Sequence, residues 1–126
     1  MPSLPIDPDT PFFCRGCGYQ LNQLSAPRCP ECDRSFDPDD FRSVIMPDLE
    51  SLLARVGEWV AYLRESPESV GWVRSLTALD RGLRVERLTF ARDQMRRAGA
   101  EPQYIELIEA LIVPPIFDAF VKAMDE

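Results

Sequence analysis

The sequence predicts a mainly α fold with a small β appendage: two short β-hairpins near the N-terminus, followed by a bundle of three or four helices. Three observations lead there. All four cysteines fall in two Cys-x-x-Cys pairs, "CRGC" and "CPEC", a spacing suited to tight turns. Beyond residue 48, apolar residues recur at i, i+3, i+4 and i+7, the pattern of an amphipathic helix. Prolines and a glycine then stand where helices start and stop.

Residues 1–11 carry four prolines and two aspartates, which predicts an extended, solvated arm. Residues 12–37 hold the cysteines, and 38–47 read as a linker. A helical unit spans 48–126. Its first helix covers about 48–65, with Leu49, Leu52, Leu53, Val56, Trp59, Val60 and Leu63 on one side. Ser66 then suits an N-cap, Pro67 the first helical position and Glu68 the positive end of the dipole.

The second helix is expected over 67–98; at Gly82 the apolar stripe changes sides, which suggests a kink or a helix serving two partners. Arg96 and Arg97 in its last turn and Gly99 beyond them mark its end. A third helix, 102–113, is apolar around much of its circumference. "VPPIF" interrupts it, and a last helix covers 115–125. Trp59 and Trp72 read as core.

The 126 residues, 45% apolar and 28% charged, with a net charge of -7, have the composition of a folded globular protein. There are 4 basic against 7 acidic residues over 1–45, and 10 against 14 over the remainder. This balance disfavours nucleic acid, whose binding depends on neutralising phosphates. The N-terminus lacks the basic start and apolar run of a secretory leader, and no apolar tract reaches the roughly 20 residues of a membrane span. A cytoplasmic location follows as the expectation, where thiols stay reduced.

Four thiolates on two Cys-x-x-Cys loops suit a tetrahedral metal ion, since two intervening residues let both sulfurs converge. The candidate ligands are Cys14, Cys17, Cys29 and Cys32. The chain has no histidine, so such a site is all-cysteine. Two disulfides or four free thiols are the competing readings, disfavoured by the reducing compartment and the matched spacing. Gly18 follows the first pair where the backbone turns back with positive φ, and Asp33 holds the equivalent place in the second.

"CRGCGY" with "CPEC" resembles the twin knuckles of the zinc-ribbon and rubredoxin-like superfamily, over residues 12–36 only. The resemblance implies a metal-bound pair of small β-hairpins with the four cysteines as ligands, departing from the family's usual glycine at Asp33. Rubredoxins hold iron and carry electrons but separate their knuckles by a longer insert, so one structural Zn²⁺ is favoured here over iron.

No catalytic residue is expected. Histidine is absent, the Glu106/Glu109 pair reads as a solvated stripe, and a closed four-thiolate zinc offers no open coordination position. Phe12, Phe13, Tyr19 and Phe36 are placed around the metal site. Arg74, Arg81, Arg92 and Arg96 form a stripe on the second helix, read as a solvated face supported by Asp80–Arg84 and Asp93–Arg97 pairs. The leading function is a non-catalytic adaptor binding another protein or a second copy of itself. The alternatives are a nucleic-acid reader using Arg15, Arg28, Arg34 and the helix arginines, and a rubredoxin-like iron electron carrier.

Overall fold

The computed structural model describes residues 6, 9–22, 24 and 26–125. They form a short 3-10 helix, Phe41–Ser43, and six α-helices. These are α1 (Leu49–Ala54), α2 (Val56–Arg64), α3 (Pro67–Leu76), α4 (Arg81–Ala98), α5 (Pro102–Ile112) and α6 (Pro114–Met124). The chain is thus mainly α, with more and shorter helices than expected.

Two of the expected helices are each divided. Between α1 and α2 the chain tightens at Arg55, whose N–H turns to the carbonyls of Leu52 and Leu53. The expected helix over 67–98 breaks at residues 77–80, ahead of Gly82. There Ser75 Oγ donates to the Trp72 carbonyl at 2.5 Å and Thr77 Oγ to the Arg74 carbonyl at 2.6 Å. Hydroxyl groups so placed compete with the helical ladder. Asp80 restarts the helix as an N-cap, accepting the Leu83 N–H at 2.9 Å. Capping therefore takes the side chain that was expected to pair with Arg84, whose guanidinium instead stacks on Phe117 at 4.2 Å.

Helix ends follow local chemistry elsewhere. Ser66 caps α3 with Pro67 in its first turn, and Gly99 ends α4 in the left-handed region at φ 69°. Extended Val113 separates α5 from α6, so both prolines of "VPP" fall in the first turn of α6, where missing N–H groups cost nothing.

α5 and α6 form the centre. α4 packs against α5, while α2 and α1 pack against α6, and α3 leans on α2. Trp59, Leu107, Ile108, Leu111, Ile116 and Phe120 are fully buried between them. No helix among the described residues is long and apolar enough to cross a membrane.

The β-hairpins expected around the cysteines are not formed: the described residues contain no strand, only isolated antiparallel bridges. These are Phe13 with Gln20, Phe13 with Ile45, and Arg28 with Ser35. The next rung of a first hairpin is replaced by a side chain, since the Phe12 N–H donates to Asn22 Oδ1 at 3.1 Å. Pro11 and Pro27 remove donors from the arms that would have to extend into ladders.

A second, smaller core lies here: Phe12, Cys14, Cys17, Leu21, Cys29 and Val44, with Phe36 edge-on to Phe12 at 6.1 Å. Phe13, between Phe12 and Cys14, belongs instead to the helical core. Residues 38–47 also contribute to both, Val44 to the small core and Ile45 by exchanging backbone bonds of 2.8 Å with Phe13. The expected N-terminal arm falls mostly outside the described residues. Ile6 is half-buried, and its N–H donates to the Pro38 carbonyl.

Candidate metal centre

The two Cys-x-x-Cys segments fold as twins. In the first, the Cys14 N–H donates to the Tyr19 carbonyl and the Gly18 N–H to the Cys14 carbonyl, each at 2.9 Å. In the second, Cys29 donates to Arg34 and Asp33 to Cys29, again at 2.9 Å. Closing so tight a loop requires a left-handed residue, and Gly18 (φ 78°) and Asp33 (φ 65°) supply it. Aspartate is among the few side chains that accept this region. Its charge beside the sulfurs is offset by Arg28, 3.1 Å away.

The twin loops aim their sulfurs at one point. Cys14 Sγ lies 3.5 Å from Cys32 Sγ and Cys17 Sγ 3.5 Å from Cys29 Sγ, and all four lie within 4.8 Å of one another. A tetrahedral zinc with bonds of about 2.3 Å has sulfur–sulfur edges of about 3.8 Å. The four cysteines could therefore hold a metal ion. They are free of disulfides, three being buried and Cys32 exposed.

Backbone amides face the sulfurs, as a thiolate cluster needs. The Gly16 N–H donates to Cys14 Sγ at 3.3 Å. Burial nonetheless raises the Cys14 thiol and pushes Cys17 up to about 12, the amides opposing it. At Cys32 burial also opposes ionisation, but the Arg34 amide and the neighbouring thiols draw the pKa down. Without a metal Cys14 and Cys17 keep their protons, and an ion must displace them.

The centre is wedged against the helices. A Cβ on Gly18 would stand 2.9 Å from Val85 Cγ2 on α4 and 3.0 Å from Pro114 Cγ on α6, so only glycine lets the first loop seat there. Gly82 serves close approach as well, its Cβ position being 3.7 Å from Cys17 Cβ. Arg81, at the start of α4, clasps both loops. Its Nε donates to the Cys17 carbonyl at 3.2 Å, its head reaches Glu31 at 3.4 Å, and its guanidinium lies over Tyr19 at 5.2 Å.

The break before α4 separates Arg74 from the rest of the expected arginine stripe, while Arg81, Arg92 and Arg96 stay on α4. Arg74 pairs with Asp125 at 2.9 Å, Arg81 holds the metal centre, Arg92 bonds its neighbour Asp93, and Arg96 bonds Glu109. Arg28, grouped with Arg15 and Arg34 by sequence, is drawn to Asp33 instead. Phe12, Tyr19 and Phe36 do surround the sulfurs, whereas Phe13 does not. Glu106 and Glu109 bond Arg55 and Arg96 respectively, with Arg55 also stacked on Trp59 at 4.6 Å.

No family model, curated protein or solved structure matches the chain.

Proposed function

We propose that the chain is a non-catalytic zinc protein of zinc-ribbon-like type, in which a structural Zn²⁺ on Cys14, Cys17, Cys29 and Cys32 fixes a surface for another protein. Support for the zinc comes from the all-sulfur donor set and from separations that bracket the edge of a zinc–thiolate tetrahedron. A closed four-thiolate shell leaves no position for a substrate, which favours a structural role over catalysis.

The interaction half rests on one observation. Phe90 on α4 is 64% exposed, and Leu83, two turns before it, is 46% exposed. Large apolar side chains left in water on one helix face are a feature of surfaces that receive a partner. α4 is also the helix on which the metal centre is seated, so the metal and this face share one support.

A photo-crosslinking residue placed at position 90, with one at exposed position 68 as control, tests the reading in the cytoplasm. One discrete adduct at 90, absent at 68 and lost on Cys29→Ser, is expected. Equal labelling at both positions, or an undiminished adduct from a protein shown to be metal-free, refutes it. Metal analysis of the gently purified chain separates zinc from iron. One iron per chain would replace this reading with electron transfer.

A further inference from the structure

Between the metal centre and the helices lies a cavity of 640 Å³, walled by the cysteine loops, α1, α4 and α5. Its size is that of a small-molecule site. Leu52, Ile45 and Val113 contribute an apolar lining. Trp59 lines it too, and its fully buried indole N–H has no acceptor among the described residues.

Charge around the cavity is opposite to that of the chain. Five arginines line it against two glutamates, a surplus of three positive charges in a protein of net charge -7. The glutamates are engaged by Arg55 and Arg96. Arg15 and Arg34 have no carboxylate at ion-pair distance among the described residues. Arg15 Nε is held by the Arg42 carbonyl at 2.7 Å, which fixes the guanidinium without neutralising it. Among the described residues Arg92 bonds its neighbour Asp93 alone, and its side chain is 22% exposed.

Arg15 and Arg34 are exposed cations at the rim of this apolar hollow, and Arg92 beside them carries only the one pair with Asp93 among the described residues, so the field there favours an anion. Planar guanidinium forks match the paired oxygens of phosphate and carboxylate. We infer that this cavity binds a small organic anion, its phosphate or carboxylate held by Arg15, Arg34 and Arg92 and its apolar body resting on Leu52, Ile45 and Val113. The site is separate from the sulfur cluster and from the exposed face of α4. The metal centre contributes by positioning Arg15 and Arg34, each of which belongs to one of the twin loops.

The test is calorimetric titration of the full chain, purified in zinc-containing buffer, with naphthyl phosphate, naphthoate and inorganic phosphate. At least one naphthyl anion binds, and inorganic phosphate binds at least about 10-fold more weakly because it has no apolar body. Arg92→Gln and, separately, Arg34→Gln weaken the naphthyl anion about 10- to 100-fold, with zinc content and helical circular dichroism unchanged. Which naphthyl anion binds more tightly tells phosphate from carboxylate. Absence of heat from both at millimolar concentration overturns the inference. So does affinity that neither arginine variant alters in a folded protein, or inorganic phosphate binding as tightly as the naphthyl anions. A single-stranded oligonucleotide that outcompetes the naphthyl anions, and is weakened by Arg92→Gln, would replace it with a site for a phosphate chain.

Discussion

Replacing Gly18 with alanine tests whether the first loop is held by its turn alone or also by the helices beneath it. Alanine at φ 78° takes on the left-handed penalty of about 1–2 kcal/mol. The new methyl would meet Val85 at 2.9 Å and Pro114 at 3.0 Å, and overpacking of that kind costs about 1–3 kcal/mol. Together these come to about 2–5 kcal/mol. On the proposal that the loop folds as it binds zinc, the penalty appears as lost zinc affinity, at least about 30-fold at 1.4 kcal/mol per tenfold. Asp33→Ala is the matched control. It too places alanine at positive φ, and it loses an exposed pair with Arg28 worth at most about 1 kcal/mol, but it has no helix to meet. A chelator competition, with urea denaturation alongside, measures both variants. Gly18→Ala within 3-fold of the parent, or Asp33→Ala equally damaging, would falsify the docking of the first loop between α4 and α6.

Arg81→Ala removes the bond to the Cys17 carbonyl, the reach to Glu31 and the stack on Tyr19, about 1–2 kcal/mol in all. Hydrogen exchange at the Gly18 and Cys29 amides should quicken about 5- to 30-fold while α5 and α6 keep their protection. Asp80→Ala removes the cap of α4 and should cost about 1 kcal/mol by urea denaturation; an unchanged midpoint would mean the break at 77–80 needs no cap. Tyr62 donates to Glu101 at 2.7 Å, and this carboxylate, first among the causes, pushes the phenol up to about 12. Since the folded-state value is raised, the stabilisation is complete below the ordinary tyrosine pKa of about 10 and is lost as pH rises through about 12. Ultraviolet titration of Glu101→Gln should bring the phenol back toward 10, identified by difference from Tyr62→Phe.

The features legible in the sequence are those set by near neighbours. Paired cysteine spacing brings four sulfurs together because each loop closes on its own backbone, and Gly99 and the prolines end or begin helices by their own φ preferences. Where two local rules compete, hydrophobic pattern alone does not decide the outcome. Hydrophobic period carried a helix through residues 77–80, but the hydroxyls of Ser75 and Thr77 and the capping carboxylate of Asp80 decided otherwise. Hairpins were expected from the turns, yet a side chain and two prolines stop the ladders after one bridge. Long-range pairings had no local signal: Arg81 meets Cys17 across 64 residues. Nor does anything in "RGL" show that its glycine faces a sulfur-bearing loop. The gathering of arginines at the cavity has no local signal either, since Arg15, Arg34, Arg55, Arg92 and Arg96 come from distant segments.

Phe12, Phe13 and Cys14 point by turns into the small core, the helical core and the small core again. The chain thus passes between its two interiors within single peptide steps, like a stitch drawn through two layers of cloth. A swivel needs slack, and there is none here, since Ile45 pins Phe13 from the other end of the segment. Trimming the chain to its helices would tear an aromatic ring from their core, and grafting the cysteine loops elsewhere would leave that ring without a socket. The sulfur-bearing segment is a plug shaped to one receptacle, and a recombined gene that moved it would have to move the faces of α4 and α6 as well.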